Sequence, residues 1–295
     1  MVSTSKQFVA TLPLENFKSM NTKKISLEYA NGTIDGIYIT AGPGSPIVII
    51  INGHNGFYNY GMFPYIQQSL YKNNISSYSF NFSHGGVIGD ADYFEDLEKY
   101  EANCMRIETE DLLCVMQNLH SGRFDKHPKV VLLAHSLGGV PTIFGAKKAT
   151  EEKIKIDGII LVSTVKTLYF WPVEMIKEWA TNGVYYKKNN RTKQELPQGF
   201  EFLQEVMKSE TEWNVEHEIK SLQIPILIVH GEKDESIPIE HGHALFSWIK
   251  ETNPKPKLKI IHGATHTYNT KHPFDGPSKE LKEMIRTSVD WIKKL

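Results

Sequence analysis

Six short runs of aliphatic and β-branched residues, at 46–53, 76–82, 129–136, 156–163, 224–231 and 257–263, punctuate this 295-residue chain. Read as continuous apolar runs, they suit strands buried on both faces, the situation of a parallel sheet sandwiched between helices. Helical periodicity falls between them, at 62–73, 101–119, 138–150, 239–251 and 277–294. This alternation predicts an α/β fold: a right-handed, doubly wound, mostly parallel sheet whose ligands bind beyond the carboxyl ends of its strands. Residues 24 to 40 behave differently. They alternate in polarity about Asn31-Gly32, a tight-turn signal, and predict an N-terminal antiparallel hairpin.

One interval breaks the rhythm. Residues 165–222 contain no apolar strand run, only an aromatic-rich part with Tyr169, Phe170, Trp171, Trp179, Tyr185 and Tyr186, then the polar stretch KKNNRTKQELPQG. A connection this long is expected to carry structure of its own. It is read as a cap inserted into a core domain made of residues 1–164 and 223–295.

The balance of 33 basic against 34 acidic residues supplies no net field for nucleic acid or an anionic membrane. The first twenty residues lack a continuous apolar stretch, and no segment approaches the roughly 18 apolar residues of a membrane span, so a cytoplasmic protein is expected. The only cysteines, Cys104 and Cys114, are expected in one helix, about 280° apart around it, as packing residues.

Chemistry concentrates where VLLAHSLGGV interrupts the third run. Ser136 stands between the end of a strand and the start of a helix, flanked by Ala134, Gly138 and Gly139. A strand that turns abruptly into a helix leaves room only for small residues on either side, and it lifts the serine hydroxyl to the helix N-terminus. The alternative is a plain helix start with Ser136 as N-cap. A nucleophilic serine needs a general base, and the base needs a carboxylate to fix its tautomer. Asp234 lies in GEKDESIP beyond the fifth run, and His266 in HGATHTY beyond the last. Rivals are Glu232, which is closer to its strand than Asp234, and Asp157, which precedes its strand and belongs to the wrong end. His262 sits too near its strand end, His135 is locked beside the nucleophile, and the His241–His243 pair is too sparse for zinc, so no metal is expected. Donors for an oxyanion are expected from the backbone N–H of Leu137 and, in the glycine-flanked loop Asn52-Gly53-His54-Asn55-Gly56, that of His54.

With NGHNG, AHSLGG, HGEKDESIP and GATHTY in this order, the chain resembles the α/β-hydrolase superfamily from about residue 24 to its end. The segment FNFSHGGVIGD and the cap length are most similar to the serine esterase branch of cinnamoyl and feruloyl esterases and acylglycerol lipases. Two positions depart from that pattern: Asn52 replaces a frequent histidine, and Leu137 stands where several feruloyl esterases carry a polar residue. The resemblance implies a Ser136–His266–Asp234 triad, an acyl-enzyme, no cofactor, and a small-molecule ester with an apolar acyl or aryl part. Trp171 and Trp179 are expected to line that part's pocket, the alternative being that the cap aromatics are an ordinary cap core. The substrate is expected to be uncharged or weakly charged, and no lysine or arginine cluster of the kind that would favour a coenzyme A thioester can be placed at the mouth from sequence. The competing readings are a thioesterase or amidase with the same triad, and a non-catalytic binding module on the hydrolase fold.

Overall fold

Strands with two apolar faces need helices on both sides, and the computed structural model, which describes residues 20–295, supplies them. The strands are β1 (Thr22–Tyr29), β2 (Gly32–Ile39), β3 (Ile47–Ile51), β4 (Ser76–Phe80), β5 (Val130–His135), β6 (Gly158–Val162), β9 (Ile226–Gly231) and β10 (Lys257–Ile261). They form one sheet in the order β1-β2-β4-β3-β5-β6-β9-β10. β1 and β2 are antiparallel, β2 joins β4 antiparallel, and every pair from β4 to β10 is parallel. The turn of the hairpin is one residue earlier than the sequence signal suggested. Tyr29 pairs with Gly32, so Ala30 and Asn31 make the turn, and Gly32 takes a positive φ of 134°.

Alternation within the central strands divides the core in two. Ile47, Ile49, Ile51, Leu132 and Ala134 point to one face, and Val48, Ile50, Val131 and Leu133 to the other. Helices α1 (Phe63–Lys72) and α9 (Lys279–Ile292) cover the second face through Phe63, Ile66, Leu70, Leu281, Met284 and Val289. Helices α3 (Met105–His120), α4 (Gly139–Glu151), α7 (Val215–Ser221) and α8 (Glu240–Ile249) cover the first. No helix among the described residues is long and apolar enough to cross a membrane.

The helix expected over 101–119 is two helices. α2 (Leu97–Ala102) ends at Asn103, and Cys104 is extended (φ −152°, ψ 168°) as the cap residue ahead of α3. The break is held by a carboxylate from elsewhere: Glu205 accepts the N–H groups of Met105 (2.6 Å) and Arg106 (3.0 Å). Cys104 therefore lies outside the helix that contains Cys114, and both are buried free thiols. Glu205 belongs to α6 (Phe200–Met207), part of the segment between β6 and β9. That segment also contains α5 (Val173–Asn182) and a two-stranded antiparallel ribbon, β7 (Val184–Lys188) with β8 (Glu195–Gly199). Its apolar residues Ile176, Trp179, Phe202, Leu203 and Val206 are continuous with the first core, so it packs as an extension of the sheet's cover.

Candidate active site

The sheet order reverses at β3: β4 lies on one side of it and β5 on the other. Adjacent strand ends that diverge at such a point leave a crevice at their carboxyl side. Ile51 pairs with Ala134 across β3 and β5, so two residues further on Gly53 faces Ser136. A Cβ on Gly53 would stand 2.8 Å from the Ser136 Cβ. One on Gly138 would overlap the Asn52 carbonyl oxygen, and one on Gly139 the Thr164 side chain. Ser136 itself has φ +57°, a left-handed conformation that costs a side-chain-bearing residue about 1 kcal/mol or more. The small residues are therefore demanded by three neighbouring segments, and the strained serine projects from the tightest point of the turn.

The Ser136 hydroxyl does not cap the helix that follows. Its Oγ lies 3.0 Å from His266 Nε2. His266 Nδ1 is 2.9 Å and 3.0 Å from the two carboxylate oxygens of Asp234. Asp234 Oδ1 also accepts the N–H groups of Ser236 (3.0 Å) and Ile237 (2.8 Å). Burial works against the Asp234 charge, but His266 and the Ile237 N–H outweigh it and hold its pKa below the ordinary carboxylate value. A charged, acceptor-only carboxylate forces the proton onto His266 Nδ1 and leaves Nε2 as the acceptor facing Ser136.

Two further histidines brace this line, and sequence reasoning gave neither a role. Nε2 of His135 donates to the His266 carbonyl (3.0 Å), and Nε2 of His230 to the Ile237 carbonyl (2.8 Å), pinning the base loop and the acid loop. Burial, and then the neighbouring His266, lower His135 to about 3, so it stays a neutral donor. The rivals for the acid position are engaged elsewhere. Glu232 pairs with His262 Nδ1 at 2.6 Å and accepts the Gly263 N–H. Asp157 holds the Val130 N–H at the opposite end of the sheet. His241 Nδ1 accepts the Lys166 N–H.

The loop after β3 is fixed around the turn by Asn52, whose side-chain amide donates to the Phe80 carbonyl (2.8 Å), and by Tyr100 of α2, which donates to Asn55. Among the described residues, the His54 N–H has no acceptor. Leu137 is the second residue of a single 3-10 turn, Ser136–Gly138, where a helix start leaves N–H groups unpaired. A cavity of about 490 Å³ opens here, lined by Gly53, His54, Ser136 and His266 on one side. Its other side is lined by Tyr60, Lys271 and His272 and by the tip of the β7–β8 ribbon, Asn189 to Arg191. The ribbon tip is anchored by Gln194, which exchanges hydrogen bonds with both backbone groups of Phe94.

Trp171 and Trp179 are not among the residues that line this cavity. Trp179 is wholly buried, donates to the Gly199 carbonyl and packs on Phe202 (5.8 Å between centroids), which also meets Trp171 (5.4 Å). Trp179 on the buried face of α5, Phe202 of α6 and Trp171 just before α5 hold the inserted segment together. The cationic groups at the cavity, Arg191 and Lys271, come from loops without periodicity, so no sequence signal pointed to them.

The chain matches the model of the prolyl oligopeptidase family over residues 89–295. An uncharacterized peptidase of Bacillus subtilis (strain 168), YtmA, is 33% identical over 79 residues, 26% of this chain and 26% of that protein. A second, YuxL, is 30% identical over 80 residues, 21% of this chain and 12% of that protein. Each match thus spans about a quarter or less of the relative. Among solved structures, Est1E from Butyrivibrio proteoclasticus with ferulic acid bound superposes with a TM-score of 0.67 at 18% identity, covering 92% of this chain and 98% of that one. A monoacylglycerol lipase of Paleococcus ferrophilus gives 0.63 at 16% identity, covering 88% and 98%. At such identities these likenesses establish the fold. The family match takes in Ser136, Asp234 and His266 together with four of the eight strands of the sheet that carries them, and on it this α/β-hydrolase belongs to the prolyl oligopeptidase family.

Proposed function

We propose that the chain is a serine hydrolase that cleaves a small carboxylic ester through an acyl-enzyme on Ser136. The observation that carries the reading is the hydrogen-bonded line Asp234–His266–Ser136 ending at a cavity lined by Gly53 and His54. In the first step His266 Nε2 takes the Ser136 proton as Oγ attacks the ester carbonyl, and Asp234 stabilises the imidazolium. The N–H groups of Leu137 and His54 receive the developing oxyanion, a contribution on the order of 3 kcal/mol for each donor. His266 then returns the proton to the leaving alcohol, and water repeats the sequence on the acyl-enzyme. A cavity of about 490 Å³, with the ribbon tip in its lining, is the size of a small ligand rather than of an extended polypeptide.

Wild-type protein is expected to hydrolyse 4-nitrophenyl acetate and to be labelled by a fluorophosphonate at Ser136 alone. Ser136→Ala should lose turnover by about 10⁶ and all labelling. Labelling that survives in the alanine variant sinks the assignment. A second reading, cleavage of an amide or peptide bond by the same residues, is favoured by the family match and by the naming of the Bacillus relatives as peptidases. Faster turnover of alanine 4-nitroanilide than of the acetate would put it first.

A further inference from the structure

We propose that Arg191 is a specificity residue which binds a carboxylate carried by the substrate, away from the scissile bond. This rests on the reading of Ser136 as nucleophile, and it replaces the uncharged substrate expected from sequence. Among the described residues no aspartate or glutamate lines the cavity at Ser136, while two permanent cations, Arg191 and Lys271, do. The Lys271 ammonium is largely exposed and already paired with Asp275 at 2.7 Å. Arg191 has no carboxylate within 4.0 Å among the described residues; Asp92 acts on it only from further away. Its guanidinium lies over the rings of Phe57 (5.5 Å) and Tyr60 (6.0 Å), a face that positions a cation without neutralising it.

The surroundings offer donors. Tyr60 stacks on His272 at 4.6 Å. Nδ1 of His272 accepts the Gly61 N–H, so its proton sits on Nε2, which is buried with no partner among the described residues. Asn189 spends its side-chain oxygen on the N–H groups of Arg191 and Thr192, leaving the amide hydrogens unused by that turn. A partly desolvated guanidinium without a counter-charge gains most from a planar bidentate oxyanion. One such fork suits a single carboxylate, whereas coenzyme A, with its several phosphates, would call for a cluster of cations.

The test compares monomethyl esters of C4 to C8 dicarboxylic acids with methyl alkanoates of equal chain length. Hydrolysis is followed by acid release, and binding to Ser136→Ala protein by calorimetry, which needs no turnover. At the chain length that fits, the half-ester is expected to bind and react about ten- to a hundredfold better than its uncharged partner, through KM. Arg191→Ala should collapse that ratio towards one, and Arg191→Lys should restore part of it. If Arg191 merely anchors the ribbon tip, Arg191→Ala will slow both series by the same factor with the ratio unchanged, and the proposal falls. A wild-type preference for the uncharged ester overturns it as well. Half-esters that bind through Arg191 without being cleaved would uphold the carboxylate site and refute the esterase reading.

Discussion

Asp234 and Glu232 sit two positions apart in one loop, and the sequence offered both as partners for the base. Geometry separates them: the Asp234 side chain is fully enclosed against His266, while that of Glu232 is 39% exposed and turned to His262. Asp234→Asn should therefore lower kcat by about 10⁴, because an amide can donate to Nδ1 and stabilise the wrong tautomer, with the melting temperature little changed. Glu232→Gln should stay within a few-fold of wild type. Steady-state kinetics of the two variants checks this, and a larger loss at Glu232 would reverse the assignment. Ser136, Asp234 and His266 were legible because strand ends can be read from apolar runs and each of the three falls just beyond one. His135 and His230 were not, since their work is to pin backbone carbonyls that only the folded loops bring near.

The segment between β6 and β9 shows what an element can conceal. Its length announced an insertion, and its aromatics suggested a pocket, but Trp179 has its whole side chain in a core shared with Phe202 and Ile176. Truncating it removes a large buried ring, so Trp179→Ala should destabilise the protein by about 3–5 kcal/mol in chemical denaturation. The variant should slow short and long esters alike instead of changing the preference between them; a shift confined to long esters would return Trp179 to the substrate pocket. The break between α2 and α3 was hidden for a related reason. Periodicity runs through Asn103-Cys104, and the interruption depends on a carboxylate, Glu205, a hundred residues away in the chain.

At the scale of the whole molecule, buried titratable groups set how stability depends on pH. Burial lowers His54, His241 and His272 to about 4 and His135 to about 3, against 6.5 for a free histidine. His84, His127 and His230 are lowered too. These seven bind fewer protons folded than unfolded below pH 6.5, so stability rises with pH through that range. Burial raises Glu108 to about 8, Glu205 to about 7 and Asp111 to about 6. These three bind more protons folded than unfolded above their ordinary values, so they make stability fall as pH rises. Below 6.5 the histidines outnumber the acids; above it the acids act alone. The melting temperature should peak near pH 6.5 and decline towards pH 8. Glu108→Gln, which keeps a neutral side chain beside Asn103, should raise it at pH 9 more than at pH 5. Thermal scans across this range check both, and a peak above pH 8 would contradict them.

By itself the sequence determined the sheet class, the strand-to-helix turn at Ser136, and the loops that carry Asp234 and His266. Each is written locally, as an apolar run followed by a turn or by residues small enough for a close approach. Tertiary structure decided what depends on segments remote in sequence. The polar turn KKNNRTK has no pattern that ties it to Ser136; the β7–β8 pairing and the Gln194–Phe94 hydrogen bonds bring Arg191 to the same cavity. Local pattern reports which residues must be buried and where the chain must turn. Which charged side chain comes to line the cavity at Ser136 is set by packing between elements, and no window of sequence contains that information.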